Sequence, residues 1–207
     1  MRKKIVTCKI ACFLLVIVVV ISCVGKNEKP KIMENMKQEK EALSVIFGRK
    51  SVRKYVEGKP ISEEDLQTLL KAGMSAPSGK DTRPWEFVVV DDHSILEAMA
   101  AELPYAKMLP KASLSIVVCG DSAKSSYWYL DCSAAAQNIL LAAEALGLGA
   151  VWTAAYPYEE RMNVVAKNTG LPANICPLAV IPVGYPDGDF KPKDKYDAAK
   201  IHRNKWE

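Results

Sequence analysis

Three short stretches carry residue types that could do chemistry. The first is Arg49-Lys50-Ser51-Val52-Arg53. In an extended segment, residues two apart share a side, so Arg49, Ser51 and Arg53 fall together. Two guanidinium forks flanking a hydroxyl match a phosphate, although a solvated basic turn has the same composition. The second runs from Ala76 through Pro77, Ser78, Gly79, Lys80, Asp81, Thr82 and Arg83 to Pro84 and Trp85. Pro, Ser and Gly after a helix make a tight loop whose free backbone amides suit close approach to a ligand. The third, Gly147 to Tyr156, is a run of small residues that lets backbone come close to something flat, or simply packs in a core.

Other chemistries find little support. The two histidines, His93 and His202, have no paired metal-ligand pattern around them, and no Ser-His-Asp arrangement stands out. Of six cysteines, Cys8 and Cys12 fall in the first 22 residues and Cys23 follows them. Cys119, Cys132 and Cys176 lack a CxxC spacing and sit among apolar neighbours, where a free Cys acts as a small core residue. The formal charge is +4, but residues 1–22 hold four basic residues and no acid. The remainder carries 24 of each sign, with no basic footprint for nucleic acid.

Helices and strands must position these stretches, and their signals alternate through one domain over residues 41–207. Leu43 to Gly48 closes a first helix. Pro60 opens a second, with Ser62 as N-cap, Asp65 three residues on, and Leu66, Leu69 and Leu70 on one face. Trp85–Val90 reads as a strand, Ser94–Ala101 as a helix, and Ser113–Cys119 as a strand ended by Gly120. A long helix is expected from Asp131, as N-cap, to Leu146. Another is expected over Pro157–Thr169 and a last strand over Leu178–Val183. The long helix is apolar on nearly every side, so it is either the core helix or lies against a second subunit.

Taken in order, R-x-S-x-R, then A-P-S-x-x-x-x-x-P-W-x-F-V-V, then a small-residue run after a long helix, then a basic tail, resembles the nitroreductase family. The resemblance covers about Leu43 to Trp206. It implies an α+β fold with a central, mainly antiparallel sheet wrapped by helices, in an intertwined homodimer with FMN at the interface. Arg49 and Ser51 then correspond to phosphate contacts, and Arg53 to the cation beside the pyrimidine edge of the flavin. Pro77, Ser78 and Gly79 match the loop supplied by the partner subunit. Ala154 and Ala155 fall where members present backbone amides to the flavin, and Lys193 and Lys195 match a second set of phosphate cations in the tail. A guanidinium near N1 favours the negatively charged reduced flavin, and because hydride chemistry resides in the cofactor, no catalytic side chain or metal is implied.

Two departures bear on redox behaviour. Many members have Asn where this chain has Asp81 and Gln where it has Arg83. Asp81 can accept from flavin N3–H but cannot donate to O2, and its charge opposes the reduced flavin; Arg83 is placed to offset it. Ala154 also replaces an acidic side chain found in some members. The implied activity is a ping-pong oxidoreductase taking electrons from NAD(P)H or another donor to a nitroaromatic, quinone or related small-molecule acceptor. Dehalogenation or flavin fragmentation on the same fold, and a non-catalytic flavin-binding lipoprotein, are the alternatives. The short stretch Leu103–Pro110 offers little room for the lid that the dehalogenating relatives carry.

Residues 1–22 look like an address. Arg2, Lys3 and Lys4 precede an apolar core of about a dozen residues, short of the roughly 20 a spanning helix needs. Val20-Ile21-Ser22-Cys23 resembles a lipobox, in which Cys23 is acylated and becomes the new N-terminus. Residues 23–40 then form a polar tether spanning about 20–25 Å if flexible. The expected location is the cell envelope, anchored by lipid to a membrane and exposed outside the cytoplasm. Replacing Cys23 with Ser should release the protein from the membrane fraction. Wild-type protein found soluble in the cytoplasm with its N-terminus intact would overturn the lipoprotein reading.

Overall fold

The computed structural model describes residues 41–206, so the expected signal segment, Cys23 and the tether lie outside the described residues. The chain divides after Ser44, and the unit from Val45 onward carries everything that follows. Its helices are α1 (ending at residue 48), α2 (Glu63–Met74), α3 (His93–Glu102), α4 (Trp128–Ala145) and α5 (Glu159–Thr169). Its strands are β1 (Trp85–Val90), β2 (Leu114–Asp121), β3 (Gly149–Ala150), β4 (Thr153–Ala154) and β5 (Ile175–Gly184). The sheet runs β1-β2-β5-β3, with β4 also paired to β5, and every pairing is antiparallel. This is the α+β architecture expected, with helices on both faces.

The two central strands are apolar because both their faces are covered. All eight residues of β2 are buried. Leu114, Ile116 and Val118 pack with α2 and α4, while Val117 and Cys119 pack with α3 and α5. Alternation of side chains along one strand thus feeds two separate cores. Local chemistry sets the helix ends. Ser62 Oγ accepts from the Asp65 amide at 3.0 Å, as its spacing predicts, and Asp92 accepts from the Ser94 amide at 2.8 Å. Gly170 closes α5 at φ 66°, where a side chain would be strained.

Three expectations need correction. The long helix begins a turn early, at Trp128, so Asp131 is not its N-cap. Asp131 is buried in the first turn, where its Oδ1 accepts the Gly79 amide at 2.9 Å. The last strand is longer than expected, Ile175–Gly184 rather than Leu178–Val183. Pro177 lies at a register shift opposite Cys119, and Pro182 lies where β3 has ended and β4 has not begun. Gly120 does not end β2; it sits inside the strand.

The reason for Gly120 is the crossing of α4 over β2. A Cβ there would lie 2.6 Å from Trp128 Cε3 and 2.8 Å from Cys132 Sγ, closer than packed atoms tolerate. Gly120→Ala should therefore destabilise the fold by about 1–3 kcal/mol, the usual cost of overpacking a core. Urea unfolding that leaves the midpoint unchanged would show that α4 yields freely.

Candidate functional site

Two anchors hold the basic segment against the sheet. The Val52 amide donates to Ala150 O at 3.0 Å, and its buried side chain lies over Gly149, where a Cβ would meet Val52 Cγ1 at 2.5 Å. Three residues on, the buried Tyr55 hydroxyl donates to Val52 O at 2.7 Å and contacts Pro182 O at 3.3 Å. Burial pushes the Tyr55 phenol above its ordinary range despite nearby Arg53, so it stays protonated and keeps donating. The Val56 amide then reaches Tyr185 O at 2.9 Å, which brings the C-terminal tail alongside.

Between and beside these anchors, Arg49, Ser51 and Arg53 line one cleft of about 240 Å³. Lys193 and Lys195 line it too, so two sets of residues about 140 positions apart in sequence meet, as the family resemblance implies. No acidic side chain lines this cleft. A concentration of cations on a small concave surface has the chemistry to take a phosphate. Lys50 and Lys191 also belong to it and escaped the sequence reading. The odd-numbered spacing of Lys191, Lys193 and Lys195 was a signal for one of them. Lys50 sits on the other side of the alternation and is held by Glu144 at 2.8 Å, so it adds little free charge.

Arg53 also lines a second cleft of about 420 Å³, walled by Tyr105, Met108, Trp152, Ala154 and Arg161. Here the sheet supplies a backbone donor. The Ala155 amide donates to Leu178 O at 3.0 Å, and in an antiparallel ladder the neighbouring residue faces the other way. The Ala154 amide therefore turns away from β5, on the outer edge of β4. Ala155 does not fit its expected role: it is buried, and its amide belongs to the sheet. Lys107 enters the same cleft and donates to Ala100 O and Ala101 O at 2.6 and 3.0 Å, at the C-terminal end of α3, where a cation is favoured. The stretch Leu103–Pro110 forms this cleft's wall through Pro104, Tyr105 and Met108.

The loop of Pro77, Ser78, Gly79 and Asp81 lines neither cleft of its own chain. Its amides are less free than its composition suggests. The Gly79 amide is taken by Asp131, and the Arg83 amide donates to Ser78 Oγ at 3.0 Å. Lys80, Asp81 and Arg83 all have positive φ, of 54°, 55° and 46°, an unusual concentration for residues with side chains. The Arg83 guanidinium grips Asp81 through two hydrogen bonds of 2.7 and 2.6 Å, and this holds the Asp81 carboxyl below the usual carboxylate range. The charge that sets this loop apart from other members is thus met locally by Arg83.

Comparison with known proteins agrees with this geometry. The nitroreductase family matches residues 46–113 and 96–185. A protein of Archaeoglobus fulgidus named "Putative NADH dehydrogenase/NAD(P)H nitroreductase" is 43% identical over 173 residues, 80% of this chain and 99% of its own. A crystal structure of a protein with the same name from Bacteroides thetaiotaomicron is 67% identical with a TM-score of 0.79, covering 80% of this chain and 98% of that one. An FMN-dependent nitroreductase from Clostridium difficile is 31% identical with a TM-score of 0.75, covering 79% and 99%. This chain belongs to the nitroreductase family.

Among the described residues, no group of three or more His, Cys, Asp or Glu side chains is placed to hold a metal. Cys119, Cys132 and Cys176 are free, the first two buried. Burial, with Cys132 nearby, pushes the Cys119 thiol up to about 12, and burial beside Asp131 does the same for Cys132. A raised pKa leaves both thiols neutral and unreactive well above neutral pH. Native protein treated with a thiol reagent at pH 8 should leave Cys119 and Cys132 unmodified until it is unfolded. Rapid labelling of either, mapped by mass spectrometry, would show that the core opens there.

Proposed function

We propose that the chain, an FMN-dependent oxidoreductase, works in two separate half-reactions. A donor such as NAD(P)H delivers electrons and leaves, and a nitroaromatic, quinone or related acceptor then takes them. The observation that carries this reading is Arg53, which lines both a cleft rich in cations and a second cleft with an edge amide and apolar walls. One end suits a terminal phosphate, and the other a flat ring system with few placed donors. FMN, when bound, supplies the hydride chemistry.

The protein's own residues bind and orient. Arg49, Ser51, Lys193 and Lys195 hold the phosphate, and Arg53 sets positive charge beside the ring where negative charge gathers on reduction. The Ala154 amide donates to the ring edge, while Pro104, Tyr105 and Met108 limit water. A second copy of the chain supplies Pro77, Ser78, Gly79 and Asp81. Supporting this, α4 buries Cys132, Ala136, Ile139 and Ala143 in its own core yet leaves Leu130 and Leu146 exposed, and Phe47 is 71% exposed. Large apolar side chains left exposed are the kind of surface a second copy of the chain can cover. If Cys23 is acylated, the enzyme sits outside the cytoplasm, where nicotinamide donors are scarce, and the donor is then a membrane quinol or a partner redox protein instead of NAD(P)H.

Dehalogenation is the second reading, favoured by an iodotyrosine deiodinase of Thermotoga neapolitana that is 30% identical over 185 residues, 74% of this chain and 91% of its own. The short wall at 103–110 weighs against it. Turnover with a donor and acceptor separates both readings from a flavin carrier that does no catalysis.

The purified protein should be yellow, release FMN on denaturation, and be a dimer by light scattering. Arg49→Ala should weaken FMN binding about tenfold to a hundredfold, the loss of a charge-assisted contact of about 1.5–3 kcal/mol, and Lys80→Ala should do much less. A colourless protein that FMN cannot reconstitute would sink the assignment, and equal small effects would reduce Arg49 to a surface charge.

A further inference from the structure

Arg161 is an expensive residue where it stands. It lies in the first turn of α5, where the helix dipole opposes a cation. Its side chain is only 16% exposed, and its Nε–H is fully buried with no acceptor. What partners it has are weak. One Nη donates to Ala154 O at 3.5 Å, and the Glu160 carboxylate, on a side chain 73% exposed, is 4.0 Å from Nε. Leaving donors of a buried charge unspent is costly, so a residue kept this way needs a reason.

Aromatic rings hold the guanidinium in place. It lies 3.7 Å from the Tyr158 ring centroid and 5.1 Å from that of Tyr105. These contacts fix its plane without consuming its hydrogen-bond donors. It lines the second cleft beside Ala154, and no Asp or Glu lines that cleft. Three cations face the space, and two have other work. Lys107 is bonded to the carbonyls ending α3, and Arg53 is shared with the phosphate cleft. Arg161 is the cation in this cleft with donors to spare.

We propose that Arg161 determines acceptor specificity by binding a carboxylate carried on a flat aromatic acceptor. Tyr105 and Tyr158 hold the guanidinium, whose donors match a carboxylate bidentately, while Trp152 and Met108 give the ring an apolar wall. This rests on the proposed reading of the Ala154 cleft as the site of the flavin ring, against which an acceptor must lie to take electrons.

The flavin-loaded dimer, wild type and R161Q, is assayed with 4-nitrobenzoate and nitrobenzene, which differ in the carboxylate alone. Benzoate binding is measured separately by calorimetry. Wild type should prefer 4-nitrobenzoate, and R161Q should lower the ratio of its kcat/KM for 4-nitrobenzoate to that for nitrobenzene on the order of tenfold or more. The dissociation constant for benzoate should rise by a similar factor, and R161K, which keeps the charge without the fork, should fall between. Equal losses on both acceptors, unchanged benzoate binding, or an effect confined to the donor's KM would each overturn the proposal. Flavin content and the rate of flavin reduction in wild type report on the underlying reading by themselves, so failure there is told apart from failure at Arg161.

Discussion

Everything at the site is referred to the contact of Val52 with Gly149. The side chain occupies the space a Cβ would fill, and the Val52 amide bonds Ala150 in the next position. One short stretch therefore fixes the basic segment on one side and leads, four residues after Ala150, to the edge amide of Ala154. Lys50 bonded to Glu144 and Tyr55 bonded to Pro182 brace the segment at either end. The spacing between phosphate cations and ring-edge donor is set within about six residues of backbone, with little room for slack.

The site also turns a hazard of sheets to use. An edge strand exposes unpaired amides and carbonyls that invite pairing with other chains. Here β4 is two residues long and is overhung by Tyr105 and Arg161, so its outward amide faces a cleft of small-molecule size rather than another strand. The central strands, sealed on both faces, supply rigidity, and the chemistry is left to the margin.

Much of this was legible in the sequence. β1 was readable to the residue, because Trp85 to Val90 is a β-branched and aromatic run bounded by Pro84 and Asp91. The N-cap of α2 was readable because Ser62 and Asp65 interact locally. Arg49, Ser51 and Arg53 were readable from alternation and Lys193 and Lys195 from the family pattern, and the fold brings all five to one cleft. What failed depended on partners far along the chain. Gly120 reads as a terminator until α4 is laid across it. Asp131 reads as a cap until the Gly79 amide is found against it, and Pro177 reads as lying outside the last strand until its place at the register shift with β2 is known. Arg161 gave no signal at all: on a polar helix start a lone Arg is unremarkable, and only burial reveals it.

The cationic cleft has a consequence for the tail. Lys191, Lys193 and Lys195 approach Arg49 and Arg53 with no carboxylate lining the space between them, so like charges are gathered where they repel. Filled by a dianion, the same groups attract a common centre, and the sign of the interaction between tail and body reverses. Ligand and tail then share one equilibrium: whatever holds residues 191–195 in place tightens the ligand, and the ligand in turn holds the tail. The final stretch of chain serves as a clasp whose closure is set by charge, stiffening with anion bound and loosening as salt rises.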